Sequence, residues 1–265
     1  MTDISSASPT LVVGIVNVTP DSFSDGGRWQ QPATAVEHGF DLVSAGADML
    51  DIGAESTRPG FEPVPPAEQL RRLTGVLEIL ARTGVPLSID TRSAEVAHAA
   101  VQAGASVVND VSGGLHDPEM LPFVAAAGVD YVCQLWRRDK EGPTDRPIWA
   151  SIRDQLLWRR DECVSAGIDP ARIILDPGIG FGRSGAEDWA ILADVDRLTD
   201  LPHRILIGAS RKSFLGPDAS PGGDLAITAW CAKAGVWAVR THTSHDHKQV
   251  ISATWRLREL GDNHE

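Results

Sequence analysis

The stretch LVVGIVNVTPDSFSDGG (residues 11–27) joins two kinds of sequence without a spacer. Its first part, LVVGIV (11–16), is a continuous apolar run, which is typical of a strand buried on both faces of a parallel sheet. Its second part is polar and holds Asn17, Asp21 and Asp25 among serines and glycines. A buried strand that ends in so polar a segment suggests that the segment has a functional role, because it is too polar for a core and too specific for a spacer.

The same alternation of short apolar runs and longer helical patterns continues along the chain. We predict eight strands, at residues 11–18, 48–53, 86–91, 106–110, 130–135, 172–177, 204–209 and 236–242. We predict eight helices, at residues 31–45, 66–82, 93–103, 117–127, 150–166, 187–199, 224–235 and 245–260.

Eight strands and eight helices in 265 residues match a (β/α)₈ barrel. The competing layout is a doubly wound open sheet, which needs no eighth unit to close it. We predict an α/β fold, a single-domain (β/α)₈ TIM barrel over residues 1–265, in which residues 1–10 form a flexible N-terminus.

The composition narrows the choice of partners. The chain is 42% hydrophobic and carries a net charge of −12, so we expect neither nucleic acid nor an anionic membrane as a partner. No apolar run is long enough to span a membrane, and MTDISSASPT (1–10) lacks the features of a signal peptide. The three cysteines have neither zinc-ligand spacing nor a disulfide framework, which favours a cytoplasmic setting.

Polar residues stand at the carboxyl end of seven of the eight predicted strands. In order they are Asn17, Asp51, Asp90, Asn109-Asp110, Asp176, Ser210-Arg211-Lys212 and Arg240-Thr241-His242. In a barrel all these ends meet at one mouth, where barrel enzymes hold their chemistry. A single Asp after a strand is more often a turn former or a helix cap, but seven polar ends together are harder to explain in that way.

The charges at these ends are sorted by sign. Asp90 and Asp176 follow the third and sixth strands, while Arg211, Lys212 and Arg240 follow the seventh and eighth, where barrels commonly bind phosphate. A carboxylate can accept two N–H bonds from the edge of an amino-pyrimidinone ring, and Arg and Lys suit phosphate oxygens. One pocket could therefore hold a polar heterocycle and a phosphate ester.

Two further motifs are weaker signals. DPGIGFG (176–182) lacks the spacing of a phosphate loop or a dinucleotide fingerprint, so we interpret its glycines as allowing the backbone to approach a flat ligand. The histidines and acid of HTSHDH (242–247) could suggest a metal site, but we expect three of the four to start a solvated helix.

Together these motifs resemble those of the dihydropteroate synthases, a family of pterin-binding barrels. The resemblance covers nearly the whole chain and rests on NVTPDSFSDGG, ESTRPG, SIDTR, NDVSGG, DPGIGFG, GASRKSFLG and RTH, in that order. It implies that the chain joins 6-hydroxymethyl-7,8-dihydropterin pyrophosphate to p-aminobenzoate, with Mg²⁺ as cofactor, and releases pyrophosphate in folate synthesis. It also implies that sulfonamides compete with p-aminobenzoate, and it leaves a homodimer open.

The resemblance assigns roles to residues of this chain by position. The pterin would be held by Asp90, Asn109, Asp176 and Lys212. The pyrophosphate would be held by Arg240 and His242, with Asn17 near the metal. The p-aminobenzoate would be bordered by Thr57, Arg58, Pro59, Phe181 and Ser213. The catalytic residues would be Asp25, which would stabilise a carbocation at the methylene carbon, and Lys212, while Phe23 would wall the amine site.

The chain also departs from the family pattern. Gln134-Leu135 stands where the family usually has Met-His, Arg183 replaces a lysine, and Thr243 replaces an acid. By strand alternation we expect one of Gln134 and Leu135 to face the barrel interior, where a mismatched amide would weaken pterin binding. Two alternatives stay open: a pterin-dependent methyltransferase-type barrel, and a degenerate paralogue that binds pterin without turnover.

Overall fold

A computed structural model describes residues 9–18, 30–55, 63–136, 146–216 and 222–262 of the chain. Within these residues, eight parallel strands close into a barrel in sequence order. They are β1 (Leu11–Asn17), β2 (Met49–Gly53), β3 (Leu87–Asp90), β4 (Val107–Asp110), β5 (Asp130–Gln134), β6 (Ile173–Asp176), β7 (Arg204–Ile207) and β8 (Ala238–Thr241). β1 pairs with β2 on one side and with β8 on the other, in the register Leu11↔Ala238. The barrel prediction is therefore confirmed and the open sheet is excluded.

Helices connect the strands and cover the outside of the barrel. They are α1 (Gln30–Ser44), α2 (Pro66–Leu73), α3 (Val76–Leu80), α4 (Ala94–Gln102), α5 (Met120–Ala127), α6 (Ile148–Ser165), α7 (Gly185–Ala193), α8 (Val195–Thr199), α9 (Gly222–Ala234) and α10 (His245–Asp262).

Three helix predictions need correction. The predicted helix 66–82 is split into α2 and α3 at Gly75, whose φ of 78° lies in the left-handed region that glycine adopts without strain. The predicted helix 187–199 is likewise divided into α7 and α8 at Asp194. The predicted helix 117–127 begins only at Met120, because Asp117 accepts hydrogen bonds from the N–H groups of Ala94 and Glu119.

Strand alternation places the residues that matter for function. Inside the barrel, one apolar cluster is built from Val13, Met49, Val107, Val132, Ile174, Leu206 and Ala238. Side chains two residues apart on a strand point to the same face. Continuing this alternation toward the carboxyl ends therefore brings polar residues into the mouth directly above the apolar layer.

Asn109 and Asp110 show how strictly the alternation works. Asn109 follows Val107 on the inner face, whereas Asp110 points to the helices. The Asp110 carboxylate is fully buried and accepts bonds from the N–H of Ser112 (2.8 Å), the N–H of Gly114 (2.8 Å) and the hydroxyl of Tyr131 (3.0 Å). Asp110 thus supports the turn after β4 and does not belong to the mouth.

Three other expectations can be compared with the structure. Of the predicted flexible residues 1–10, only Pro9 and Thr10 are described, and Thr10 is buried with its hydroxyl donating to the carbonyl of Val236 at 2.7 Å. The three cysteines are free and buried. Among the described residues, no helix has both the length and the apolar character that a membrane crossing requires.

Candidate active site

A ring of polar side chains lines the carboxyl end of the barrel. Its members occupy inward-facing positions of seven strands and are Asn17, Asp51, Asp90, Asn109, Gln134, Asp176 and Arg240. All except Asn17 and Arg240, which are half-buried, have less than 9% of their surface exposed. Polar groups buried at this density are costly unless they find partners, so the partners of each group reveal what the mouth can bind.

Arg240 ties three strands together across the mouth. Its Nε donates to Oδ2 of Asp51 at 2.5 Å, and its Nη2 donates to Oδ2 of Asp90 at 2.6 Å. Asn109 also donates from Nδ2 to Oδ2 of Asp51, at 2.9 Å. Burial raises the pKa of Asp90 to about 7, against the opposing effect of Arg240. Arg240 therefore offsets part of the cost of holding two carboxylates side by side.

Four polar atoms at this mouth are buried without a hydrogen-bond partner. Three are acceptors, namely Oδ1 of Asp51, Oδ1 of Asp90 and Oδ1 of Asn109, and the fourth is a donor, Nε2 of Gln134. A buried polar atom without a partner costs about 1–3 kcal/mol. The unpaired atoms therefore describe the complement of a ligand that offers several N–H groups and at least one acceptor.

Asp176 ends β6 beside a glycine turn. Its Oδ1 accepts the N–H of Gly178 at 2.7 Å, and burial raises the pKa of its carboxyl to about 6. Gly178 has a φ of 72°, and a Cβ there would lie 1.9 Å from the carbonyl oxygen of Leu135. Only glycine fits this position, because the turn packs closely against the backbone of Leu135. The approach of these glycines to a flat ligand stays a prediction.

Lys212 and Phe181 form one wall of the mouth. The Lys212 Nζ lies 3.7 Å from the centroid of the Phe181 ring. Burial and, next, the charge of Arg240 lower the pKa of Lys212 to about 8, although Asp176 raises it. Arg183 donates to the carbonyls of Pro177 and Gly178 at 2.8 and 2.9 Å, so this residue braces the glycine-rich segment.

His242 stands at the end of β8 next to Ser210. Its Nδ1 lies 3.1 Å from Oγ of Ser210. Nearby, Ser213 is exposed and starts a short 3₁₀ turn (Ser213–Leu215). Arg211 is exposed and has a φ of 57°, a strained backbone conformation for a residue other than glycine.

The HTSHDH segment starts a helix as the sequence suggested, since α10 begins at His245, and His245 and Asp246 are exposed, but His247 is not solvated. His247 is buried, with its ring nitrogens 2.8 Å from Oγ1 of Thr228 and 2.9 Å from Oγ1 of Thr241. Burial lowers the pKa of His247, so the ring is neutral and packs behind β8. Among the described residues, no group of three or more His, Cys, Asp or Glu side chains could hold a metal ion.

A cavity of about 220 Å³ lies beside the mouth. It is lined by Glu55, Pro63, Val64, Pro65, Pro66, Gln69, Arg92, Ser93 and His116. Arg92 donates from Nη2 to Glu55 at 2.6 Å and lies over the ring of Trp136. This ion pair holds the chain at the point where it leaves β2.

The structure brings most of the predicted site residues to one place. Asp90, Asn109, Asp176, Lys212, Arg240, His242, Phe181, Ser213 and Asn17 all lie at the carboxyl ends of the strands or in the turns that follow them. Asp25, Thr57, Arg58 and Pro59 lie outside the described residues, as does Phe23. The sequence prediction did not assign a role to Asp51, although its inward position two residues after Met49 could have identified it.

Gln134 and Leu135 separate as strand alternation predicts. Gln134 continues the inner face from Val132, whereas Leu135 belongs to the apolar layer between the strands and the helices. Both side chains are buried. The departure from the family pattern at Leu135 is therefore remote from the mouth, and the departure at Gln134 lies in it.

Comparison with known proteins identifies the family of this chain. Residues 13–242 match the model of the family described as pterin binding enzyme. The dihydropteroate synthase of Mycobacterium leprae is 43% identical over 268 residues, which cover 94% of each chain. Among solved structures, the dihydropteroate synthase of Xanthomonas albilineans with 4-aminobenzoic acid is 40% identical, with a TM-score of 0.87 over 94% of this chain and 93% of that one.

A third relative carries a ligand of a different kind. The dihydropteroate synthase of Anaplasma phagocytophilum, solved with bound 6-hydroxymethylpterin-monophosphate, is 33% identical, with a TM-score of 0.87 over 94% of this chain and 100% of that one. These matches span the barrel and every described part of its mouth. The chain belongs to the pterin-binding enzymes and, among them, to the dihydropteroate synthases.

Proposed function

We propose that this chain condenses 6-hydroxymethyl-7,8-dihydropterin pyrophosphate with p-aminobenzoate to give 7,8-dihydropteroate and pyrophosphate. The observation that carries the proposal is the set of unpaired buried atoms at the mouth, three acceptors and one donor, since a pterin ring offers several N–H groups and fewer acceptors. The relatives solved with 4-aminobenzoic acid and with a hydroxymethylpterin phosphate support both halves of the reaction.

The pterin would lie against the inner ends of β3, β4 and β6. Asp176 would accept two N–H bonds from the pyrimidinone edge, and the unpaired oxygens of Asp90 and Asn109 would accept others. Lys212, a cation below about pH 8, would complete the pocket beside the ring of Phe181. Because these groups are already held in place by the barrel, binding would order few side chains.

The diphosphate would lie toward β8 and the end of β1. Arg240 and His242 would contact its oxygens, and Asn17 would supply an amide oxygen to Mg²⁺. Mg²⁺ usually takes only one or two protein oxygens together with substrate phosphates and water, so the half-buried Asn17, in a mouth whose described part has no metal cluster of its own, fits a metal that arrives with the diphosphate. When bound, Mg²⁺ would neutralise charge that develops on the departing pyrophosphate.

The chemical step would need no protein nucleophile. The bond between the methylene carbon and the ester oxygen breaks, and its electron pair leaves with the pyrophosphate. The amine of p-aminobenzoate then forms the new carbon–nitrogen bond and loses a proton to solvent. Asp25 would stabilise the positive charge on the carbon, and Thr57, Arg58, Pro59, Phe181 and Ser213 would border the aminobenzoate, where a sulfonamide would compete.

Release of pyrophosphate tests the proposal directly. The protein is incubated with the pterin pyrophosphate, p-aminobenzoate and Mg²⁺, with the unphosphorylated pterin alcohol as the negative control. The variant Asp176→Asn keeps the shape but turns one acceptor into a donor, so we expect pterin binding to weaken by about 2–4 kcal/mol.

Asp130→Asn is the matched control, because Asp130 lies at the opposite end of the barrel, at the start of β5, where it pairs with Arg204. Its turnover should equal that of the parent. If the parent binds pterin but releases no pyrophosphate, the chain is a binding paralogue and the proposal is wrong.

We further propose that the protein is cytoplasmic and forms a homodimer. Three free, buried cysteines suit a reducing compartment. Trp189 on α7 and Trp230 on α9 are 45% and 47% exposed. The Trp230 indole N–H donates to the carbonyl of Leu192 on α7 at 2.8 Å, so the two helices are adjacent. Two exposed tryptophans on adjacent helices offer an apolar surface that a second copy of the chain could cover. Sedimentation velocity measures the oligomeric state, and a monomer at micromolar concentration would exclude the homodimer.

A further inference from the structure

Gln134 carries the single donor among the unpaired buried atoms at the described part of the mouth. The sequence alone suggested that its amide is a poor match for the ligand. We infer instead that Nε2 of Gln134 donates a hydrogen bond to a ring acceptor of the pterin, which makes Gln134 a specificity-determining residue of this chain. The inference rests on the proposed function, because it takes a pterin as the ligand.

The position of Gln134 leaves its amide little freedom. The residue ends β5 between β4 and β6, and its Cα is in register with that of Asp176. Only 5% of its surface is exposed, so the amide cannot turn into solvent. Its Cγ lies 3.6 Å from the place that a Cβ of Gly178 would occupy, so the glycine turn closes over the side chain.

The chemistry of the ring edge fits a donor at this point. On a pyrimidinone ring, the adjacent ring N–H and amino group that Asp176 would take are flanked on both sides by acceptors, namely a carbonyl oxygen and a ring nitrogen. A side chain on the strand next to Asp176 therefore faces an acceptor and must donate to it. Nε2 of Gln134 is a donor, whereas the unpaired oxygens of Asp51, of ionised Asp90 and of Asn109 are acceptors.

A buried donor that is paired only in the complex affects stability and ligand affinity in opposite ways. In the ligand-free protein the unpaired Nε2 reduces stability, and in the complex it strengthens binding. Removing it should therefore move stability and affinity in opposite directions. Removal of a residue that only supports the barrel would lower both stability and affinity.

The test uses Gln134→Met and Gln134→Glu in the full-length protein, with the pterin alcohol titrated by calorimetry. Met matches the length of Gln without polar atoms, and Glu keeps the shape but only accepts. We expect each change to weaken pterin binding about tenfold or more, while the KM for p-aminobenzoate stays within about twofold. The ligand-free Gln134→Met protein should melt at the temperature of the parent or above it.

Leu135→Met is the matched control, since Leu135 follows on the same strand but faces the helices, and a volume-conserving apolar change there should leave pterin affinity unaltered. The inference is overturned if Gln134→Met binds the pterin alcohol within about threefold of the parent, or more tightly. The parent's release of pyrophosphate is measured alongside. Its failure would refute the proposed reaction, whereas the calorimetry would still decide the role of Gln134.

Discussion

The substitution Asp51→Asn separates an electrostatic support of the mouth from a merely buried side chain. Asp51 has 1% of its side chain exposed and accepts from both Arg240 and Asn109. Removing one partner of a buried ion pair costs about 3–5 kcal/mol. Asn keeps the shape, Arg240 keeps its bond to Asp90, and the repulsion between the two carboxylates disappears, so we expect a smaller loss of about 2 kcal/mol.

Urea unfolding followed by the fluorescence of the chain's eight tryptophans measures this loss. The dependence of the free energy on urea should keep its slope, because the surface exposed on unfolding does not change. Asp161→Asn is the control, since Asp161 pairs with Arg160 but is 66% exposed, and exposed pairs contribute little. A loss at position 51 no larger than that at position 161 would refute the pairing with Arg240.

The pH dependence of the same variant gives a second check. Burial above all, and then the charge of Asp51 against the opposing Arg240, raise the pKa of Asp90 to about 7. A carboxyl whose pKa is higher in the folded than in the unfolded protein binds more protons when folded, so stability falls as the pH rises from about 4 to about 7. Without the Asp51 charge the pKa of Asp90 should drop and the fall should shrink. The cost of Asp51→Asn should therefore be larger at pH 5 than at pH 8, and the opposite trend would contradict the assignment.

Two further outcomes are expected. The kcat/KM for the pterin pyrophosphate should rise with pH through about 6, because burial raises the pKa of Asp176 to that value. It should fall above about pH 8, where Lys212 loses its proton. A pH profile without this rise and fall would show that neither residue binds the pterin. Gly178→Ala should lower the stability measured by thermal unfolding by about 2 kcal/mol or more, and by more than Gly75→Ala. Both glycines have a positive φ, but only a Cβ at position 178 would clash with the carbonyl oxygen of Leu135. Equal losses for the two variants would mean that the turn after Asp176 can move away.

The strands could be predicted from the sequence because each is buried on both faces. Apolar runs of four to seven residues leave little doubt about period and position, and all eight observed strands lie inside the predicted segments. The helices were less certain, since the pattern of residues 66–82 and 187–199 continues through points where the backbone breaks. At Gly75 the break depends on a left-handed conformation that hydrophobic spacing does not encode.

The site could be predicted in part, for a similar reason. Strand ends show which residues approach the mouth, and this was enough for Asp90, Asn109 and Asp176. Pairing across the barrel needs the register between strands, so the bonds from Arg240 on β8 to β2 and β3 could not be read from the sequence. The burial of His247 depends on packing against Thr228 of α9, which is also a long-range contact.

The opposite orientations of Asn109 and Asp110 affect how variants of this chain should be scored in a growth screen. With Asn109 in the proposed pterin pocket, we expect loss of either side chain to impair growth that depends on this enzyme, yet by different routes. A variant at Asn109 loses one bond, to Asp51, and we expect it to act mainly by weakening the binding of pterin. A variant at Asp110 removes the acceptor of four bonds behind β4, so we expect it to deplete the folded protein. Activity normalised to protein abundance distinguishes the two effects. A screen that measures growth alone would wrongly assign Asp110, as well as Asn109, to the active site.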